Sequence, residues 1–268
     1  MTATDTVFAG SIPGLYDRYM GPMVFAPYAE IVAARARAFQ PARILETAAG
    51  TGIVTAALHA ALPDAEIVAT DLNQAMLDVA AGRIRSDQVS FLAADAQSLP
   101  FPDASFDLIA SQFGVMFFPD KVAANAEARR VLRDGGHYIL VIWDSVDRNL
   151  ATKVAGTAVA ELFPDDAAAF FERIPFRYHD RTAIERDLHS AGFAAIAFET
   201  VELRSRAPSA SDAAIGLCQG TPMRSELEKR GPGALEQATD AATQALEQFE
   251  GPDGFDAPMS AHIVVATK

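Results

Sequence analysis

From Arg43 onward, the chain alternates short apolar runs with longer segments in which apolar residues recur at helical spacing. Apolar runs bounded by turn residues are typical of buried strands, and the longer segments are typical of helices. The alternation predicts repeated βαβ units around a mostly parallel sheet, and therefore the α/β fold class. The predicted strands are Arg43–Glu46, Glu66–Thr70, Val89–Ala94, Phe106–Ser111 and His137–Trp143.

The intervals between these strands carry residues that end helices for known backbone reasons. Proline cannot continue a helix, and glycine adopts the left-handed conformation that often closes one. The predicted helices are Thr51–Leu62 before Pro63, Asn73–Ala81 before Gly82, and Asp120–Arg133 before Gly135–Gly136.

After Trp143 the regular alternation weakens. An insertion with clustered aromatic residues, Phe163 to Tyr178, comes first. A helix at Thr182–Ala191 and a strand at Ile196–Leu203 then resume the pattern. A polar, helical stretch, Ser209–Glu250, precedes a last strand at Ala261–Ala266.

Composition and charge narrow the class of partner. Half of the 268 residues are apolar, which is enough for a sizeable core. The formal net charge of −13 disfavours binding to nucleic acid or to an anionic membrane surface, because both would be repelled. The single cysteine, Cys218, indicates a reducing compartment. No stretch of the sequence is long and apolar enough to cross a membrane. No cluster of Asp and Asn residues points to a metal ion. We therefore expect a cytoplasmic protein with a neutral or cationic small-molecule partner.

A glycine turn follows the first predicted strand, in the segment Ile44 to Thr55. A dinucleotide fingerprint requires G-x-G-x-x-G/A, and here Thr55 stands at the third small position. Glu46 precedes Gly50 by four residues, at the end of the strand. A carboxylate there would repel a pyrophosphate, so the turn favours a ligand that carries positive charge.

Two further acids follow the next two strands. Asp71 lies 19 residues past Gly52, where a carboxylate can accept both ribose hydroxyls of an adenosine, and Asp95 can accept from an adenine amine. The carboxyl ends of parallel strands meet at one crevice, so we expect Glu46, Asp71 and Asp95 to converge there. Each acid alone could equally be a helix N-cap or a turn residue.

Five motifs occur in order between Arg43 and Trp143. They are Glu46-x-Ala48-x-Gly50-Thr51-Gly52, Thr70-Asp71-Leu72-Asn73-x-x-Met76-Leu77, Ala94-Asp95-Ala96-x-x-Leu99-Pro100-Phe101, Phe106-Asp107-Leu108 and Leu132-Arg133-Asp134-Gly135-Gly136. This ordered set resembles class I S-adenosylmethionine-dependent methyltransferases, in particular the small-molecule branch that includes quinone-biosynthesis enzymes. One departure is Ala48, which replaces the family's first glycine and leaves less freedom for a positive φ angle.

The resemblance implies a fold, a cofactor and a set of site residues. The fold would be a Rossmann-like, seven-stranded, mostly parallel sheet with an antiparallel last strand beside the fifth, plus helical cap insertions. The cofactor would be S-adenosyl-L-methionine, with S-adenosyl-L-homocysteine as product. The resemblance implies that the methionine part lies close to Ala48, Gly50, Thr51, Gly52, Ser111 and Gln112. It implies the ribose for Asp71, the adenine faces for Leu72 and Met76, and the adenine edge for Asp95 and Ala96. Glu46 joins this cofactor-binding set through the charge argument given above.

In similar enzymes an N-terminal segment folds over the cofactor as a lid. Tyr16 and Tyr19 are therefore candidates for contact with the methionine carboxylate, although a helix that packs its aromatic residues on the sheet explains them as well. We predict a single domain over residues 1–268, with a lid in 1–42, a cofactor-binding core in 43–144 and substrate-cap insertions in 145–180 and 207–256.

The acceptor and the catalytic base are less well defined by the sequence. The aromatic insertion suits a small, apolar or aromatic acceptor, and Trp143 could line its pocket. His179 follows the insertion and His262 begins the last strand near the crevice, so both are candidate bases, although a hydrogen-bonded strand histidine also explains His262. Three functions stay open: methyl transfer to a small molecule, cofactor binding without catalysis, and nicotinamide-dependent oxidation. The sequence does not indicate the oligomeric state.

Overall fold

The structure is a computed structural model that describes residues 12–163 and 170–268. It divides into two compact units. We call the first the helical unit; it contains the chain up to Pro27, Asp144–Arg177 and Glu202–Ser260. The second, the core unit, contains Tyr28–Trp143, Tyr178–Val201 and Ala261–Lys268. Residues 1–11 of the predicted lid and 164–169 of the predicted insertion lie outside the described residues.

A single sheet carries the strands, in the order β3-β2-β1-β4-β5-β8-β6, and the short β7 pairs with β8. Strands β1 to β5 pair in parallel, and β8 runs antiparallel to β5. The predicted α/β class and the predicted antiparallel strand beside the fifth are thus confirmed. The strands are β1 Arg43–Thr47, β2 Glu66–Asp71, β3 Val89–Ala93, β4 Phe106–Gln112, β5 Leu132–Trp143, β6 Ala195–Ala207, β7 Glu250–Gly251 and β8 Gly254–Thr267.

The central strands are buried because their sequences are apolar on both faces. Ile44 and Leu45 of β1 and Leu108 and Ile109 of β4 have no exposed surface. Parallel strands covered by helices on both sides require such continuous apolar runs. The edge strand β3 is more exposed, although Ser90 is the one polar residue among its five.

Helices of the core unit begin and end close to the predicted boundaries. Helix α3 follows Gly52 and ends before Pro63, and the Asp120 side chain caps α5 by accepting from Ala123 N–H. The helices that lie wholly or mainly in this unit are α2 Ala26–Phe39, α3 Ile53–Ala61, α4 Gln74–Arg83, α5 Lys121–Val131 and α8 Arg181–Ser190.

Three predicted boundaries are wrong. Helix α4 runs through Gly82 and ends at Arg83, and β8 begins at Gly254 rather than at Ala261, so His262 lies within the strand and not at its start. The third boundary lies between α5 and β5. Helix α5 ends at Val131 rather than at the Gly135–Gly136 step, and β5 begins at Leu132 rather than at His137. The pairing jumps from Leu132 opposite Phe106 to His137 opposite Leu108, which marks a bulge in β5. Gly135 and Gly136 lie in that bulge and not at the end of a helix. Gly135 has a φ of 76°, a positive value that a bulge often requires.

The helical unit contains the remaining helices. A ten-residue π-helix, Tyr16–Phe25, packs against α9, and α11 packs against both α6 and α9. The stretch predicted as one helical region, Ser209–Glu250, forms three helices and a 3₁₀ turn. No helix in residues 12–163 and 170–268 is long and apolar enough to cross a bilayer. The helices of this unit are α1 Ile12–Leu15, α6 Leu150–Leu162, α7 Phe170–Arg173, α9 Ala210–Gln219, α10 Met223–Lys229 and α11 Ala234–Leu246.

Candidate functional site

The carboxyl ends of β2, β1 and β4 lie side by side in the core unit. Thr47 at the end of β1 pairs with Thr70 of β2, and Glu46 pairs with Ala110 of β4. Because the strands are parallel, the turns that follow them leave from one edge of the sheet. The structure therefore brings Glu46, Asp71 and the glycine turn together, and the predicted convergence of Asp95 with them stays a prediction.

Glu46 is a buried carboxyl group, with only 2% of its surface exposed. Its Oε2 accepts a hydrogen bond of 2.6 Å from Thr55 Oγ1, and its main-chain oxygen accepts one of 2.9 Å from Thr70 Oγ1. Burial raises the pKa of Glu46 to about 8; the Thr55 hydrogen bond opposes this rise, and the negative charge of Asp71 adds to it. The group is therefore ready to become charged when a cation approaches.

Asp71 joins the end of β2 to the glycine turn. Its Oδ2 accepts from Gly50 N–H at 2.9 Å, and its Oδ1 accepts from Asn73 N–H at 2.8 Å. Burial raises the pKa of Asp71, while these backbone hydrogen bonds lower it. Each carboxylate oxygen can accept more than one hydrogen bond, so Asp71 can hold the turn and still accept from a ligand hydroxyl. Its predicted contact with a ribose stays a prediction.

The turn between β1 and α3 is held in left-handed backbone conformations. Ala48, Gly50 and Gly52 have φ angles of 54°, 55° and 77°. A Cβ atom at Gly52 would lie 2.8 Å from Ala80 Cβ, so glycine there lets α4 pack closely. Ala48 thus adopts the positive φ that the family's glycine would allow, at the cost of the strain that an L side chain has there.

The Ala48 methyl group fits because Gly114 has none. A Cβ atom built on Gly114 would lie under 3.0 Å from Ala48 Cβ, although Gly114 itself has an ordinary φ of −98°. The preceding residue, Phe113, has a positive φ of 55° and stacks on Trp143 with ring centroids 3.7 Å apart. Sequence reasoning missed Gly114, and the one signal for it was the alanine in place of glycine at position 48.

The residues predicted to surround the adenine differ in exposure. Leu72 is 65% exposed directly after Asp71, whereas Met76 is buried, with its Cε 3.6 Å from the position of a Cβ on Gly50. Asp95 is exposed two residues beyond β3, and its Oδ1 accepts from Gln97 N–H at 2.8 Å. The adjacent Ala96 is half-buried. An exposed leucine at this edge suits contact with an apolar ligand face.

Thr47, Thr51 and Ser111 have buried hydroxyl groups without a hydrogen-bond partner in the described part of the chain. Thr47 and Ser111 lie near the Tyr138 hydroxyl, whose pKa is raised by burial, but neither contact with Tyr138 has hydrogen-bond geometry. Side chains alternate along a strand, so Thr47 lies on the opposite face of β1 from Glu46. Buried hydroxyl groups normally have a hydrogen-bond partner. These three hydroxyl groups can therefore offer polar contacts to a ligand that binds at this edge of the sheet.

Two predicted lid residues lie in the helical unit. Tyr16 stacks on Phe25 at a centroid distance of 4.7 Å, and the Arg18 guanidinium lies 5.0 Å from the Tyr19 ring centroid. Their contact with a cofactor stays a prediction.

The two candidate bases lie in the core unit. His262 is 4% exposed; its Nδ1 is 2.9 Å from Thr200 Oγ1, and its Nε2 donates to the His179 carbonyl oxygen at 3.1 Å. Both ring nitrogens therefore have polar partners within the unit. The His179 side chain is exposed. A catalytic role for either histidine stays a prediction, and among residues 12–163 and 170–268 no group of three acidic, histidine or cysteine side chains could hold a metal ion.

The part of the chain that forms this site is similar in sequence to known methyltransferases. Residues 45–140 match the model of a methyltransferase domain family. A demethylmenaquinone methyltransferase of Deinococcus radiodurans is 37% identical over 143 residues, which cover 52% of this chain and 59% of that protein. A ubiquinone/menaquinone biosynthesis C-methyltransferase of Methylobacterium nodulans is 39% identical over 121 residues, 44% of this chain and 48% of that protein. The chain thus spans about half the length of these relatives.

Similarity of fold extends further along the chain than similarity of sequence. The crystal structure of the YcgJ protein from Bacillus subtilis superimposes with a TM-score of 0.59, covering 90% of this chain and 98% of that one, at 19% identity. At this identity the likeness concerns the fold alone. The matched sequence region, 45–140, contains both buried acids and the turn between them.

Proposed function

Because the chain belongs to the class I S-adenosylmethionine-dependent methyltransferases, we propose that it transfers the methyl group of S-adenosylmethionine to a small, apolar or aromatic acceptor. The observation that carries this proposal is the pair of buried acids, Glu46 and Asp71, on either side of the glycine turn. The names of the two curated relatives favour an acceptor of the quinol type.

The residues at this edge suit the donor better than a dinucleotide. S-adenosylmethionine carries a sulfonium, an amino group and a ribose with two hydroxyl groups, but no phosphate. Glu46 offers a carboxyl group that a cation would ionise, Asp71 offers acceptor oxygens, and Leu72 offers an exposed apolar surface. The negative charge of a pyrophosphate would instead oppose ionisation of both buried carboxyl groups and would gain no attraction from either of them.

Bound S-adenosylmethionine would supply a methyl carbon for an electron-rich acceptor atom to attack, and S-adenosylhomocysteine would leave as a neutral thioether when the carbon–sulfur bond breaks. The protein has to hold the two reactants in line and exclude water. Glu46 and Asp71 would bind the cationic and ribose parts, and the left-handed turn at Ala48 to Gly52 would let the backbone approach the donor closely. A base for the acceptor is not part of this proposal, since both candidate histidines remain predictions.

Calorimetry tests the donor directly. We expect S-adenosylmethionine and S-adenosylhomocysteine to bind and NAD not to bind. Asp71→Ala should weaken donor binding by about 1 to 3 kcal/mol through the loss of hydrogen bonds to a charged acceptor. Asp78→Ala on α4, an exposed residue that accepts from Gln74, is the matched control and should leave affinity unchanged. Tight binding of NAD without a response to the methyl donor would contradict the proposal.

Turnover separates methyl transfer from binding without catalysis. Labelled donor with a panel of quinols, phenols, amines and carboxylates should give a methylated product from an aromatic member of the panel. Donor binding with no product from any of them would favour the binding-only function. The expected cytoplasmic location and the absence of a nucleic-acid partner belong to this proposal, and a cell fractionation and a binding assay with duplex DNA would test them.

A further inference from the structure

Thr55 occupies the position where a dinucleotide-binding turn has its third small residue, and it does more there than fill space. Its side chain has no exposed surface, and its Oγ1 donates to Glu46 Oε2 at 2.6 Å. Thr55 lies in the first turn of α3, directly after the glycine turn. The helix therefore presents a hydroxyl group to the carboxyl group at the end of β1.

The surroundings of Glu46 offer little else to stabilise a negative charge. Asp71 on β2 brings a second negative charge near it, and β4 places the uncharged Ala110 opposite it in the sheet. Thr55 is the one side chain in the described part of the chain that donates a hydrogen bond to this carboxyl group. A hydrogen bond to the ionised form favours ionisation, whereas burial and Asp71 oppose it.

We propose that Thr55 is a positioning residue that holds Glu46 in the orientation and charge state needed for a cationic ligand group, so that affinity for the donor depends on pH through the Thr55 hydroxyl. This inference rests on the proposed function, because the ligand group is the sulfonium or amino group of the methyl donor. A donor cation would draw the proton off Glu46, and binding would release that proton to solvent.

The sign of the pH dependence follows from the free protein. Glu46 has a pKa of about 8 there, so it is mostly protonated at pH 7, and donor affinity should rise with pH until it levels off near pH 8. Loss of the Thr55 hydroxyl raises that pKa further. The rising part of the affinity curve then moves to higher pH, and affinity at pH 7 falls by about tenfold or more.

Three variants test the inference by calorimetry with S-adenosylmethionine from pH 6 to pH 9. Thr55→Val keeps the shape and removes the hydroxyl, and Thr55→Ser restores it. Thr70→Val is the matched control, since Thr70 Oγ1 donates to the main-chain oxygen of Glu46 and not to its carboxyl group. We expect a displaced curve for Thr55→Val and wild-type curves for Thr55→Ser and Thr70→Val. A loss of affinity by the same factor at every pH would overturn the inference.

A second measurement needs no donor. Carbon-13 NMR of glutamate carboxyl groups follows the titration of Glu46, with Glu46→Gln to assign the signal. The midpoint should lie at higher pH in Thr55→Val than in the wild type and in Thr70→Val. If the midpoint moves but the wild type binds no donor at any pH, the proposed function fails and the role of Thr55 toward Glu46 stands. If the midpoint does not move, the role of Thr55 is refuted whatever the ligand.

Discussion

Gly114→Ala is the substitution for which the structure gives the clearest energetic expectation. The new methyl group would lie under 3.0 Å from Ala48 Cβ and 3.2 Å from Ser111 Oγ, while ordinary van der Waals contact begins at 3.4 Å. The backbone segments after β1 and after β4 must then move apart, because neither methyl carbon can rotate away. Overpacking of this kind costs about 1 to 3 kcal/mol in a well-packed core.

The partner substitution Ala48→Gly removes the other methyl group. Position 48 has a φ of 54°, which glycine adopts freely, so this change alone should alter stability by less than about 1 kcal/mol. In the double variant the clash is absent, and most of the cost of Gly114→Ala should disappear. The expected coupling energy between the two sites is about 1 to 3 kcal/mol.

Urea unfolding of the wild type, both single variants and the double variant measures this coupling. Gly82→Ala on α4 is the control, because nothing lies within 4 Å of a Cβ atom there and its effect should be neutral or slightly stabilising. Additive effects within about 0.5 kcal/mol would refute the steric argument. A loss of stability in Gly82→Ala equal to that in Gly114→Ala would refute it as well.

Two further predictions concern the same edge of the sheet. The folded-state pKa of Glu46 is raised from 4.5 to about 8, so the folded protein binds the extra proton and stability falls as pH rises between these values. The free energy of unfolding of Glu46→Gln relative to the wild type should therefore rise by on the order of 3 to 5 kcal/mol between pH 4.5 and pH 8, as measured by urea unfolding. A difference that does not change with pH would contradict the burial argument. Gly52→Ala should lower stability more than Gly50→Ala, although both positions have a positive φ. The new methyl group at Gly52 would lie 2.8 Å from Ala80 Cβ, whereas the one at Gly50 would lie 3.6 Å from Met76 Cε. The two unfolding free energies should differ by about 1 kcal/mol or more, and equal costs would show that backbone conformation alone decides them.

The central strands could be predicted from sequence because their signal is local. Short apolar runs at 44–45 and 67–69 lie within the predicted strands Arg43–Glu46 and Glu66–Thr70, and the observed β1 and β2 are each one residue longer. The Gly135–Gly136 step predicts the wrong end for α5 because a left-handed glycine occurs both at the end of a helix and in a bulge. Only the pairing of Leu132 with Phe106, 26 residues earlier in the chain, decides between them.

The polar residues of the site were predictable by position but not by partner. The sequence places Glu46 and Asp71 at strand ends, and the structure adds that Thr55 and Gly50 hydrogen-bond to them. Such contacts depend on how α3 and the turn lie over the sheet, which no local pattern encodes. The sequence of 209–250 predicts helical structure but not its division into three helices, because the positions at which such polar helices end depend on tertiary contacts.

The turn departs from two different patterns, and each departure has its own structural counterpart. Thr55, in place of the third small residue of a dinucleotide fingerprint, donates to the carboxyl group of Glu46. Ala48, in place of the first glycine of the methyltransferase motif, is accommodated by the missing side chain of Gly114. Each departure would be a defect by itself, because the first would bury a hydroxyl group and the second would cause a clash. A comparison made position by position counts both as mismatches. In the folded chain the first is paired with Glu46, which suits the cationic ligand proposed above, and the second lets the turn pack closely against the segment after β4. Both pairings depend on residues that only the folded chain brings together.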